Sequence, residues 1–289
     1  MLKSHMNIIL PYLPSFIISS FKSHGFDSKL SSQLTKVSMR CFAYLNRMGR
    51  TDLNKEKSFD SFIESILGIY SSIISYNDSI SCLCYIGHGL NSSVLLRSQL
   101  EAYLIFKYFT FPKDDIKEIK NRVNRYNDWV KVRMYINSKK SKDFDLFNLD
   151  TNLDSYLKMV EENYNYVRNK YKDNPNIMND LEKSTSFIKE KKKLAKEFGI
   201  ENLYLGVFSE TSASVHIADI SDRMFSIKQQ GIKRYAFHIR SSKECTMISD
   251  VSNTLLVKAI EDFIEFFDYS SDIKDMIFKN AKIARKHFA

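Results

Sequence analysis

Apolar side chains recur at helical spacing along most of the chain. Leu30, Leu34, Val37, Cys41 and Leu45 form one stripe and predict a helix over 26–48, capped by Asp27 or Ser28. Phe62, Ile63, Ile66, Leu67 and Tyr70 predict a second over about 58–76. Asn77-Asp78-Ser79 reads as its stop and as the cap of the next helix, about 79–110. From Val94 that third helix runs VLLRSQLEAYLIFKYFTF, apolar almost all round, as expected at the centre of a bundle. Pro112 terminates it. A fourth, about 113–138, opens on Asp114 and Asp115, which suit a positive helix start. It carries Ile116, Ile119, Val123, Tyr126, Val130 and Met134, with Trp129 read as core. After a polar connection over 138–151 come two charged helices, about 152–172 and 176–197, split by Asn174-Pro175. They predict a helical hairpin inserted into the main body and stopped by Gly199. Residues 202–218 predict a short helix, and 246–269 and 271–286 a closing pair. The alternation in IKRYAFHI allows a short strand or an extended loop near 230–240.

Eight glycines and four prolines in 289 residues are too few for a sandwich, a barrel or a dinucleotide-binding sheet. With 21 Phe and 16 Tyr to build a core, the fold class is all-α. The architecture is a multi-helix bundle in a single helical domain, 1–289. Core helices span 26–138, the hairpin insertion 152–197, and a motif segment with the C-terminal helices 202–286. The stretch Asn7 to Phe21 is apolar but short and holds Pro11 and Pro14, so it reads as a docked segment rather than a membrane span. Cys82-Leu-Cys84 is too tight for zinc, so the four cysteines read as buried or semi-buried thiols in a reducing, cytoplasmic compartment.

Formal charge is +9, which favours contact with phosphates, although a solvated lysine-rich surface gives the same figure. No phosphate-binding glycine loop, nucleophile elbow, HExxH or calcium loop is present, and the residues call for neither metal nor cofactor. Two sets of residues stand out. Arg97 and Glu101 lie four apart in the apolar third helix, so they share a face. A charge there must pair, reach another polar group or line a cavity. Ser209, Ser212 and His216 recur on one helical face, and a histidine is suited to acid–base work near neutral pH. A satisfied core histidine explains His216 equally well.

The sets combine into a resemblance. Leu95-Leu96-Arg97-Ser98-Gln99-Leu100-Glu101-Ala102 resembles the LLRSxLEA helix of a family of uncharacterised bacterial helical proteins. Tyr204, Phe208, Ser209, Ser212 and His216 resemble that family's second pattern, a Tyr followed by Ser-x-x-x-His. An Arg-rich stretch, Asn121 to Tyr126, follows the first motif. Such proteins are similar to the wider class of HEPN and abortive-infection proteins, many of them metal-independent RNases or nucleotide-binding modules of anti-phage systems. The usual Arg-x4–6-His pattern is absent. Arg234 and His238 have three residues between them, and His216 has no Arg at the required distance before it. An arginine would have to come from Arg97 or Arg125.

The resemblance implies an RNase-like defence effector. His216 would be acid or base, Arg97 would stabilise phosphorane charge, and Glu101 would orient Arg97. Arg125, Tyr126, Ser212 and Arg234 would hold substrate, and the basic stretch 228–243 would add phosphate contacts. Two alternatives stay open. One is a non-enzymatic helical module that binds a partner defence protein or a small phosphorylated ligand. The other is a structural protein whose polar residues only specify its core. A homodimer is expected. Light scattering should then give twice the chain mass of 33.8 kDa, and a single chain mass would overturn it.

Overall fold

The computed structural model describes residues 28–48, 61–143, 153–215, 224–229, 232–237, 242–286 and 288. Among these the protein is helical apart from one hairpin. In chain order the elements are α1 Ser28–Met48, α2 Ser61–Tyr85, α3 Gly89–Thr110, α4 Ile116–Asp143, α5 Leu153–Lys170, α6 Pro175–Lys183, α7 Lys191–Glu197 and α8 Glu201–Val215. Strands β1 Met224–Gln229 and β2 Ile232–Phe237 follow, then α9 Ser242–Phe266, α10 Ser271–Ile277 and α11 Lys282–Arg285. The all-α reading stands. The β-element is an antiparallel pair that begins at Met224, with Arg234 opposite Ile227. The N-terminal apolar stretch lies outside the described residues.

The backbone forms two compact units. The first takes Leu67–Lys107 and the described residues of Met1–Leu53 and Lys192–Ala289. Its core is aromatic and aliphatic. Tyr70 lies 4.3 Å from Phe263 and 5.4 Å from Phe106, ring centre to ring centre. Leu34, Val37, Cys41 and Leu45 of α1 are all buried, as their spacing requires. Tyr269 donates its hydroxyl to the Cys41 carbonyl at 2.9 Å. Gln33 of α1 accepts from the Ile283 and Ala284 amides, at 3.0 and 3.1 Å, and so caps the start of α11.

Four helices of this unit meet through buried polar side chains. Asn77 of α2 donates from Nδ2 to Ser252 Oγ and to Asn253 Oδ1 of α9, at 2.9 and 3.1 Å. Ser31 of α1 donates to the same Asn253 oxygen at 2.9 Å. Gln99 of α3 donates to the Ser252 carbonyl at 3.2 Å. All five residues are buried. Here the structure corrects the sequence reading. Asn77-Asp78-Ser79 does not stop a helix, because α2 runs through it to Tyr85. The Asn77 amide is spent on α9 rather than on its own backbone, while Asp78 and Ser79 face outward. The real stop is Gly87, at φ 84°. Its amide bonds to the Cys84 carbonyl and the His88 amide to the Leu83 carbonyl, closing the last turn of α2. Gly89 then opens α3 against α9, where a Cβ would lie 2.9 Å from Glu244 Cβ.

Asp262 of α9 is clasped from α3 by the Tyr103 hydroxyl at 2.9 Å and by Lys107. Burial pushes its carboxyl above the usual range, with Lys107 and Tyr103 pulling the other way.

The second unit comprises the described residues of Asn54–Ile66 and Tyr108–Lys191. Helices α4, α5 and α6 share a small core of Val132, Val167, Met178 and Leu181, with Trp129 and Tyr164 packed on it. Asp128 of α4 is buried and takes hydrogen bonds from Lys170 at 2.6 Å and Tyr171 at 2.8 Å. Helix α4 runs to Asp143, beyond the expected end near 138. The second charged helix breaks in two. Trp129 Nε1 takes the Ser184 carbonyl at 3.1 Å and Arg133 takes that of Glu182, so side chains capture carbonyls at the end of α6. Phe187 turns into a ring cluster, 5.2 Å from Tyr126 and 6.1 Å from Tyr108. Gly199, at φ 68°, ends α7 with its own amide on the Lys196 carbonyl and the Ile200 amide on that of Ala195.

Asn253→Ala should cost about 2–4 kcal/mol, because it strands the Ser31 hydroxyl and an Asn77 amide hydrogen in the core. Ser31→Ala should cost about 1 kcal/mol, since an acceptor loses one of two donors. Urea unfolding of the three proteins checks the order. Asp262 sets a pH trend of known sign. A carboxyl raised in the folded state contributes most below its unfolded value and loses that contribution as pH rises through the folded value. Wild-type stability should therefore fall with rising pH across that window. Asp262→Asn should lack this component, as thermal unfolding at a series of pH values would report.

Candidate functional site

Helix α3 presents Arg97 one turn before Glu101, and α8 packs beside them. The ion pair between them is loose, with Arg97 Nε 3.7 Å from Glu101 Oε1. That is too long for a hydrogen bond. Neither side chain is fully buried, at 28% and 34% exposed, so the two charges lie at the rim of the helix face. What holds the guanidinium is a ring. Its Cζ sits 4.4 Å from the centre of Phe208 on α8. Tyr204, one turn earlier, stacks on Phe208 at 4.4 Å and 29°. Phe208 thus touches both Tyr204 and Arg97.

Tyr204 is buried, and its phenol is pushed up by that burial, with Glu101 adding to the rise and Arg97 opposing it. The four side chains thus share one electrostatic environment. A guanidinium offers five N–H donors, and Arg97 has no hydrogen-bond acceptor among the described residues. It lies over a ring, charged and partly open to solvent. That arrangement suits a planar or tetrahedral anion.

The two motif segments singled out in the sequence come together here through Arg97, Glu101, Tyr204 and Phe208. Phe208 was quoted in the sequence pattern without a role. Its signal was the Tyr204-to-Phe208 spacing of four, which places two aromatics on one helical face. Ser209 is exposed and returns its hydroxyl to the Gly206 carbonyl at 3.1 Å. Ser212 lies in the last turns of α8, one turn beyond Phe208. His216 lies outside the described residues, directly after α8. Arg234 belongs to β2.

Arg125 and Tyr126 belong to the second unit. Arg125 pairs with Asp180 at 3.1 Å, a carboxylate it shares with Lys189. Asp180 is held below the usual carboxylate range, first by the Lys189 hydrogen bond. The Tyr126 ring packs edge-on against Phe109 at 5.3 Å and Phe187 at 5.2 Å. Neighbouring Arg122 ties down the chain after α3, donating to the Tyr108 carbonyl at 2.9 Å and the Phe111 carbonyl at 2.6 Å. The Arg-rich stretch thus has structural partners for both its arginines.

Among the described residues no three His, Cys, Asp or Glu side chains group to hold a metal ion. No helix among them is long and apolar enough to cross a membrane.

Comparison with known proteins adds one finding. No curated protein and no solved structure matches the chain. A family model does match, over residues 64–234, which takes in α3 and α8 and hence all four side chains of the Arg97 cluster. By that match the chain belongs to DUF5677, a family of unknown function.

Proposed function

We propose that the protein recognises a phosphate-bearing ligand, RNA foremost, through Arg97. The observation that supports this is the guanidinium clamped on Phe208 beside Glu101, with no hydrogen-bond acceptor among the described residues. A phosphate would take the free N–H groups in pairs, and Glu101 would hold the guanidinium in plane. Net charge of +9 would draw a polyanion in without regard to sequence.

Metal-independent cleavage is the second reading. It is favoured by α8, which carries Tyr204 and Phe208 onto Arg97 and ends at Val215, immediately before His216. His216 would then remove the ribose 2′-hydroxyl proton or protonate the leaving oxygen. Arg97 would stabilise the charge that grows on the phosphorane. Ser212, on the same helix, is the nearest candidate to hold substrate. On the resemblance to abortive-infection proteins, the setting we propose is phage defence, with the chain acting as a homodimer in the cytoplasm.

The test compares wild type, Arg97→Ala and His216→Ala on labelled total RNA in EDTA, after circular dichroism shows equal folding. The binding reading expects wild type to retain RNA and Arg97→Ala to lose at least tenfold in affinity. Equal retention by both would overturn it. The cleavage reading expects wild type to cut, with losses of about 100- to 1,000-fold for Arg97→Ala and about 100- to 10,000-fold for His216→Ala. Retention without cutting would leave a binding module, and equal cutting by all three would place the chemistry elsewhere.

A further inference from the structure

The two helices that build the Arg97 site are poor in positive charge. Besides Arg97, α3 carries one cation, Lys107, and α8 carries none. Lys107 lies about 15 Å further along the helix axis and is held by Asp262 of α9. Against these stand Glu101 on α3 and Glu201 and Glu210 in the sequence of α8. The two helices are therefore acidic, although the chain as a whole stands at +9.

Glu101 bears directly on any anion that reaches the guanidinium. Its Oε1 lies 3.7 Å from Arg97 Nε. An anion on Arg97 is thus well inside the roughly 10 Å over which surface charges act at ordinary salt. Neighbouring hydroxyls are spent on their own helices. Ser98 donates to the Val94 carbonyl at 3.4 Å, and Ser209 to that of Gly206 at 3.1 Å. The side chains one turn before Arg97 and one turn before Phe208 are exposed and apolar, Val94 and Leu205. They suit the sugars that flank a phosphate rather than further negative charge. A phosphodiester carries one negative charge, whereas a phosphomonoester near neutral pH carries about 1.5 to 2. Repulsion from one carboxylate acts on every charge of the ligand, so it falls most heavily on the dianion. The dianion also gives up the stronger hydration, and the hydroxyls that could replace it are already bonded.

We infer that Glu101 is a specificity-determining residue, which restricts the Arg97 site to the singly charged phosphodiester within a strand and turns away terminal phosphates, free nucleotides and inorganic phosphate. This rests on the reading of Arg97 as the phosphate contact and adds a second role to Glu101. As a neighbour that only orients the guanidinium, Glu101 would help every anion alike. As a fixed negative charge beside it, Glu101 sorts anions by their charge.

The experiment uses the full-length chain at about pH 8 and two probes that differ by one methyl group. Adenosine 5′-phosphate is a dianion there, because its second proton leaves near pH 6, and its methyl diester is a monoanion. Each probe displaces a labelled RNA oligonucleotide lacking terminal phosphates from wild type, Glu101→Gln and Arg97→Ala, read by fluorescence anisotropy. Wild type should yield to the diester at the lower concentration. Glu101→Gln keeps the shape of the side chain without its charge. It should narrow the preference for the diester by about 2- to 5-fold, with the monoester gaining more than the diester. Should both probes shift by one factor, Glu101 only positions Arg97. That result overturns the inference and leaves the Arg97 reading standing. So does a wild type that takes the monoester as readily as the diester. Should Arg97→Ala hold the RNA as tightly as wild type, the Arg97 reading falls and the inference falls with it.

Discussion

The first unit depends on one carboxamide oxygen. Asn253 Oδ1 accepts from Ser31 of α1 and from Asn77 of α2, and the adjoining Ser252 takes Asn77 through its hydroxyl and Gln99 of α3 through its carbonyl. Apolar packing alone would tolerate rotation or sliding of these helices, since leucine and isoleucine surfaces are interchangeable over a turn. A buried donor that loses its acceptor costs more than the bond contributes, so only one register leaves the cluster bonded. The network is not saturated, because Asn77 Oδ1 and Gln99 Oε1 have no partner among the described residues. Position has been favoured over complete satisfaction.

That register fixes the face α3 shows at Arg97. Gln99 points inward to α9 and is fully buried, while Arg97 and Glu101, two residues to either side, emerge on another face beside α8. The polar centre and the candidate site are thus two sides of one helix. On that second side, Phe208 supplies what the carboxylate does not, a flat surface in contact with the guanidinium.

Periodicity made the helices legible, and tertiary bonds hid the rest. The α1 stripe from Leu34 to Leu45 is buried as read. Asn77 misleads because Asn-Asp-Ser has the composition of a helix cap, and nothing local reveals that its amide reaches α9. The break after α6 is equally silent in sequence. Trp129 and Arg133 draw off the carbonyls there from another helix. Of the candidate site, Arg97 and Glu101 were visible as charges in an apolar run, and the aromatics of α8 as a motif. That the motif meets the charges through a ring face rather than a hydrogen bond belongs to packing between distant segments. Cys82 was the exception to the reading of buried or semi-buried thiols, because it is exposed.

The contact of Arg97 with the Phe208 ring has a consequence for selectivity among substitutions. A long cationic side chain free in water carries about 2 kcal/mol of rotamer entropy, which an incoming ligand would ordinarily have to overcome. Here the Phe208 ring already restricts Arg97 in the folded protein, so part of that cost falls on folding. A lysine would keep the charge but has no plane to lay on the ring. At this position shape, more than electrical sign, is what evolution would have to preserve.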